Sequence, residues 1–189
     1  MRFAVVVGHR KDRQGARALS GDHEWEWNIP LAARLCGELE ATGEEADLLF
    51  RPNKSSGAMT ELVDRINGGN YDAVISLHFN AGAGGAGGHL MLHYPASVKG
   101  EALAQACSQA HSTALPSIRD RGLWATSVNG SGYELWILTR TNCPATIVES
   151  HFGDSPDHEY VTPRREKLAV AMAEQLVELA NRAKSGGQW

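Results

Sequence analysis

The stretch "AVISLHFNAG", residues 73–82, decides how the rest of the chain is read. Read as a strand with a two-residue period, it turns Val74, Ser76, His78 and Asn80 to one face and Ile75, Leu77 and Phe79 to the other. One face is wholly apolar, while the other ends in Ser, His and Asn. A second stretch, "FAVVVGH" at residues 3–9, behaves alike: a run of valines stops at Gly8 and His9. If both strands lie in one mainly parallel sheet, their carboxyl ends are neighbours, and that is where such sheets collect ligands. The two histidines then face a common site.

Working outward, strand and helix patterns alternate. Arg2–Val7 reads as a buried strand. Ile29–Ala41 reads as a helix with Pro30 near its first turn and Leu31, Leu35 and Leu39 spaced along one face. Ala46–Phe50 is a second strand, and Gly57–Asn67 a short helix closed by "NGGN". After strand Ala73–Phe79 comes "NAGAGGAGG" (80–88), a glycine loop without the Lys-Ser/Thr of a phosphate cradle or the spacing of a dinucleotide fingerprint. His89–Tyr94 is a further strand and Val98–Leu115 a long helix. "SIRDRGLWATSVNGSG" reads mostly as loop. Glu134–Leu138 and Ala145–Ser150 read as the last strands. Pro163–Ala183 closes the chain as a helix with Leu168, Met172, Leu176 and Leu179 on one face, and "KSGGQW" reads as a frayed tail. The expectation is one α/β domain, residues 1–183, with three layers around a mixed, mostly parallel sheet flanked by helices, and a C-terminal tail at 184–189.

The 189 residues suffice for a core without staples. A formal net charge of −4 argues against a dedicated nucleic-acid binder or a broad basic membrane face, though a local basic patch remains compatible with it. Cys36, Cys107 and Cys143 form no CxxC pair and read as reduced, core-filling thiols. The opening "MRFAVVVGH" lacks the layout of a signal peptide. No segment approaches the roughly 20 apolar residues of a membrane span. No nucleic-acid partner and no membrane insertion are expected.

Four positions carry chemistry on the strand-end rule: His9, His78, Glu149 at the end of the last strand, and one carboxylate from "SGDHEWEWN" (20–28). Two imidazoles and one carboxylate are a common catalytic zinc set, with the fourth position left open. A further carboxylate nearby can carry a proton from water to a leaving amine. The plainer reading weighs against this, since a lone strand-end histidine is more often a hydrogen-bonded surface or core residue. Glu149, preceded by "ATIV", resists that reading, because burying a carboxylate beside an apolar strand is costly unless something pairs with it.

Together, "VVVGH", "DHEWEWNIPLAARL", "AVISLHFNA" and "PATIVESHF" resemble, in order and at fitting separations, the motifs of zinc-dependent N-acetylmuramoyl-L-alanine amidases of the amidase-3 type. The resemblance covers essentially the whole chain. It implies a phosphorylase/hydrolase-like α/β fold with Zn2+ held by His9, Glu24 and His78, and with Glu149 as catalytic acid/base. Glu24 matches better than Glu26, because Asn28 and Ala32 then fall at the family's offsets. The implied reaction hydrolyses the peptidoglycan amide between N-acetylmuramic acid and L-alanine of the stem peptide. Asn80, His93 and His151 are candidate substrate contacts, as is Trp124. The glycine loop 82–88 and the loop 129–132 are candidate borders of the groove.

One departure stands out. Where the family continues Gly-His with small residues before Gly-Ala, this chain has "GHRKDRQGA". The absence of an export signal and of a wall-binding module suggests a phage or prophage lysin, made in the cytoplasm and reaching the cell wall through a permeabilised inner membrane. Two rival readings are a zinc carboxypeptidase-like peptidase and an inactive wall-binding domain. The first usually places its His and Glu ligands two residues apart, whereas here His9 and Glu24 are far more widely separated. The second would have lost a chemical position, and here all four are present. Oligomeric state is left open.

Overall fold

The computed structural model describes residues 1–54, 56–82, 85–187 and 189. Six strands form one sheet in the order β2-β1-β3-β6-β4-β5. They are β1 (Arg2–Val7), β2 (Glu45–Phe50), β3 (Ala73–Asn80), β4 (His89–His93), β5 (Asp120–Ala125) and β6 (Ala145–Phe152). β2, β1, β3 and β6 run parallel, β4 pairs antiparallel with β6, and β5 follows β4 in parallel. The sheet is therefore mixed and mostly parallel, as expected.

The helices are α1 (Glu24–Ala41), α2 (Ala58–Gly68), α3 (Val98–Ala114), the four-residue α4 (Trp136–Thr139), α5 (Asp157–Val161) and α6 (Arg165–Lys184). The long helices α1, α3 and α6 cover one sheet face. Leu31, Leu35, Leu103, Cys107, Leu168 and Met172 join Phe3, Ile75 and Phe79 there in the larger core cluster. Among the described residues the other face carries α2 and α4, through Leu62, Ile66, Ile137 and Leu138, against Ala4, Val6, Val74 and Ile147. This thin cover leaves a cavity open over the ends of β1, β3 and β6. The asymmetry of the layers positions the site.

Three elements differ from the sequence reading. α1 starts at Glu24, more than a turn before Ile29, so that Pro30 lies inside the helix. Glu24 and Glu26 in its first turn suit the positive end of the helix dipole and favour this earlier start. β5 replaces an expected loop; Gly122, at φ +83°, sits within it, and glycine conceals a strand from pattern reading. The strand expected at Glu134–Leu138 is instead the turn of helix α4, an apolar run too short for its period to be read. The tail also has a fixed point: Trp189 packs against the larger core, with the Lys99 ammonium 5.2 Å from its ring centroid.

The cysteines are free, as expected, and burial pushes the Cys36 and Cys107 thiols up to about 12 and the Cys143 thiol up to about 11. Thiolate chemistry at neutral pH is closed to them.

Candidate active site

His9 leaves β1 in the left-handed region at φ 62°, a conformation uncommon outside glycine but one that histidine, asparagine and aspartate adopt more readily than other residues. Glu24 opens α1 and is almost fully buried. His78 lies near the end of β3. These three converge. His9 Nε2 donates to Glu24 Oε2 at 2.9 Å and His78 Nδ1 donates to Glu24 Oε1 at 2.8 Å. The two imidazole centroids are 5.2 Å apart, with planes at 69°. One ligand atom from each residue lies within 4.8 Å of the others, a spacing that can hold a metal ion.

The surroundings hold the three in place. The backbone N–H groups of Ala16 and Phe79 donate to Glu24 Oε2 and Oε1. The Asn28 amide donates to the Glu24 carbonyl at 2.9 Å. Ser76 Oγ is 3.1 Å from His78 Nε2, the contact that fixes the ring when Nδ1 is turned toward the cluster. Arg51 Nε donates to the His9 carbonyl at 3.2 Å. A Cβ on Gly8 would overlap the His78 ring, and one on Gly15, at φ +82°, would overlap both His9 and the Glu24 carboxylate. Only glycine leaves room for the donors at these two positions.

Electrostatics set the two carboxyls apart. Burial by itself would push Glu24 up, but its hydrogen bonds with His78 and His9 outweigh it and hold the carboxyl at about 2. For His78, burial opposes the charge and Glu24 favours it, with a net rise. Glu149 is opposite in character: burial, reinforced by the Glu24 charge and opposed by His78, pushes it up to about 7. It pairs in register with His78 on β3 and with Leu90 on β4. Its Oε2 is buried and has no hydrogen-bond partner among the described residues. A carboxyl near 7 suits both halves of a proton transfer.

His9, His78 and Glu149 all line a cavity of about 940 Å³, together with Ser76, Asn80 and Arg51. Asn80 is thus brought to the site, with its Oδ1 accepting the Ala81 N–H. Trp124, half exposed, and Asn129 with Gly130 also line the cavity. The described part of the glycine loop does not line it, and Ala83 and Gly84 lie outside the described residues. Gly82 and Gly88 are held by Asp154 and Asp157.

Two expected contacts are corrected. His93 is buried at the end of β4, facing its neighbour's carbonyl, and does not line the cavity. His151 is fully buried on the opposite face of the sheet, against Trp27 and Phe79 and hydrogen-bonded to His158 at 2.9 Å. The cause is a bulge: His78 pairs with Glu149, but Asn80 pairs with Phe152, so β6 carries an extra residue. Alternation breaks between Glu149 and His151. Glu26, the second choice for the carboxylate ligand, is exposed and faces Gln14.

Arg51 escaped the sequence reading because its contact is with a main-chain atom from another strand. Gly15 and Ala16 left a faint signal, the Gly-Ala pair that follows the basic stretch.

Two histidines and a carboxylate that could hold a metal ion lie beside a protonatable glutamate in an open cavity, an arrangement suited to hydrolysis. A sequence model described as N-acetylmuramoyl-L-alanine amidase matches residues 4–179. The chain belongs to the N-acetylmuramoyl-L-alanine amidase family, whose reaction is hydrolysis of the peptidoglycan amide between N-acetylmuramic acid and L-alanine.

Solved structures agree on the fold. The catalytic domain of the CD27L endolysin targeting Clostridia difficile has a TM-score of 0.80 at 24% identity, covering 94% of this chain and 97% of that one. AmiC2 of Nostoc punctiforme, an N-acetylmuramoyl-L-alanine amidase, has a TM-score of 0.79 at 21% identity, covering 95% and 97%. The catalytic domain of the amidase CwlV from Bacillus (Paenibacillus) polymyxa has a TM-score of 0.77 at 17% identity, covering 96% and 99%. No curated protein matches the chain by sequence.

Proposed function

We propose that this chain is a zinc-dependent amidase in which His9, Glu24 and His78 hold the ion and Glu149 carries the proton, and that it works as a lysin. The observation that carries this reading is the convergence of three donor atoms within 4.8 Å of one another beside a glutamate that pairs in register with one of them. The donor set fits zinc: two imidazoles and a carboxylate held ionised, in a pocket whose glycines leave space for them. When bound there, zinc supplies Lewis acidity toward the scissile carbonyl and a more acidic water.

The chain's own residues do the rest. Ser76 and the two backbone N–H groups on Glu24 keep the donors oriented before substrate arrives. The Glu149 carboxylate takes a proton from the attacking water, whose oxygen bonds to the lactyl carbonyl carbon. The same proton then goes to the nitrogen of the departing L-alanine as the C–N bond breaks. One group serves both steps because its proton affinity lies near neutrality.

No helix among the described residues is long and apolar enough to cross a membrane. The lysin role is supported by the structural likeness to an endolysin catalytic domain. The test is digestion of purified sacculi with and without a chelator. New amino-terminal alanine is expected, lost with chelator and restored by added zinc. Release of C-terminal amino acids instead would favour the peptidase reading, and release that survives full chelation would remove the metal from the account.

A further inference from the structure

We propose that a basic pocket beside the cluster, formed by Arg10, Arg13 and Arg51, binds a free carboxylate of the stem peptide, so that the enzyme selects peptidoglycan whose peptide is acidic beyond its first alanine. The inference rests on the amidase reading of the neighbouring site and adds to it a direction for the substrate.

The pocket has a volume of about 410 Å³ and shares His9, Arg51, Met59 and Trp136 with the larger cavity. A peptide whose scissile amide lies at the cluster therefore has a continuous path into it. The chain as a whole is acidic, yet Arg10, Arg13 and Arg51 bring three guanidiniums to this one pocket, of which Arg10 is paired with Asp12. Such a patch attracts anions against the overall field.

The charges facing the pocket are not equally committed. Arg10 is buried, with its guanidinium donating to the Lys54 carbonyl and paired with Asp12 at 2.7 Å. Lys54 is paired with Glu61 at 2.5 Å. Arg51 is half-buried and makes a single bond, from Nε to the His9 carbonyl; its terminal nitrogens have no protein partner among the described residues. Arg13 is exposed, and its side chain makes no hydrogen bond or ion pair among the described residues. Two guanidiniums thus present free donors to one concavity. The unused N–H groups of Arg51 face the pocket, and a carboxylate suits them because it accepts two parallel bonds from a guanidinium. The far wall is the start of α2, where Gly57, Ala58, Met59 and Thr60 line the pocket, and the acid of that first turn, Glu61, is paired with Lys54.

The opposite flank of the large cavity has another character. Trp124, Thr126, Asn129 and Glu134 line it, and Arg51 is the one arginine or lysine among all the described lining residues. An aromatic face with hydroxyl and amide groups suits a sugar, and Glu134 there is already paired with Arg140, so that flank offers a carboxylate no free cation among the described lining residues. The acidic end of the substrate is directed to the arginines by charge.

The test uses calorimetry on the zinc-loaded full chain carrying Glu149→Gln, which binds without turnover. The two probes are a muramoyl tripeptide with free carboxylates and the same compound with those carboxylates amidated. The acidic probe is expected to bind about tenfold more tightly. Adding Arg13→Glu removes the preference, and adding Arg13→Ala reduces it. Arg13 is exposed and unpaired, so circular dichroism should show the fold unchanged. Equal affinities, no measurable binding of the acidic probe, or a preference untouched by Arg13→Glu would overturn the pocket. Turnover of both probes by the wild type with equal binding overturns this inference alone. Carboxylate-dependent binding together with no turnover of either probe by the wild type overturns the amidase reading alone.

Discussion

Replacing Glu149 with glutamine lowers amide cleavage by about a thousandfold while zinc stays bound and the fold is kept. Glutamine preserves the shape of the side chain and removes the one group that both accepts and returns the proton. Removing a positioned acid/base costs 10²–10⁴-fold in general, and this residue serves both halves of the reaction, which sets the expectation well inside that range. Because Glu149 Oε2 has no partner among the described residues, its loss leaves no protein donor stranded. The neutral amide also ends the energetic cost of burying a carboxylate there, so thermal stability should hold or rise. The check is metal content, melting temperature and alanine release on the same preparation. Retained activity removes Glu149 from its role, and loss of zinc makes it a ligand instead.

His78→Ala has the larger structural consequence, because it removes zinc and activity together. The imidazole meets Glu24 at 2.8 Å and shares Ser76 Oγ at 3.1 Å. Without it, Glu24 loses the first of the contacts that hold its carboxyl ionised in a buried place. If protein ligands share a binding free energy of about 10–16 kcal/mol, losing one of three costs about 4 kcal/mol, or roughly a thousandfold in affinity. Zinc titration with a competing chelator reads this directly. Full occupancy in the variant contradicts the ligand assignment.

The strands that carry the site were legible because their signal is local. In β3 the alternation of Ile75, Leu77 and Phe79 with Ser76, His78 and Asn80 gives both the strand and its polar face. The convergence of His9 with His78 followed from topology, since parallel β1 and β3 are neighbours in the sheet. The start of α1 is hidden in the sequence because Pro30 marks a first turn in most helices, and here the two glutamates ahead of it extend the helix. This matters little for function, as Glu24 is still singled out by its motif.

The misplacement of His151 is more instructive. Counting by twos from Glu149 puts it in the site, and only the extra residue in β6 turns it to the helix side. A bulge has no signature in a single sequence. The basic stretch after His9 was visible as a departure, but not its meaning. Arg10 and Arg13 reach Arg51 only because β1 and β2 are adjacent, and adjacency between a loop and a strand end is a tertiary fact.

The most direct test of the account is anomalous diffraction at the zinc absorption edge from crystals grown with the metal. The predicted result is one strong peak per chain, bonded to His9, Glu24 and His78 at about 2.0–2.2 Å, with Glu149 turned toward its open side. A peak elsewhere, a peak lacking either histidine, or a Glu149 carboxylate pointing away from the ion would contradict it.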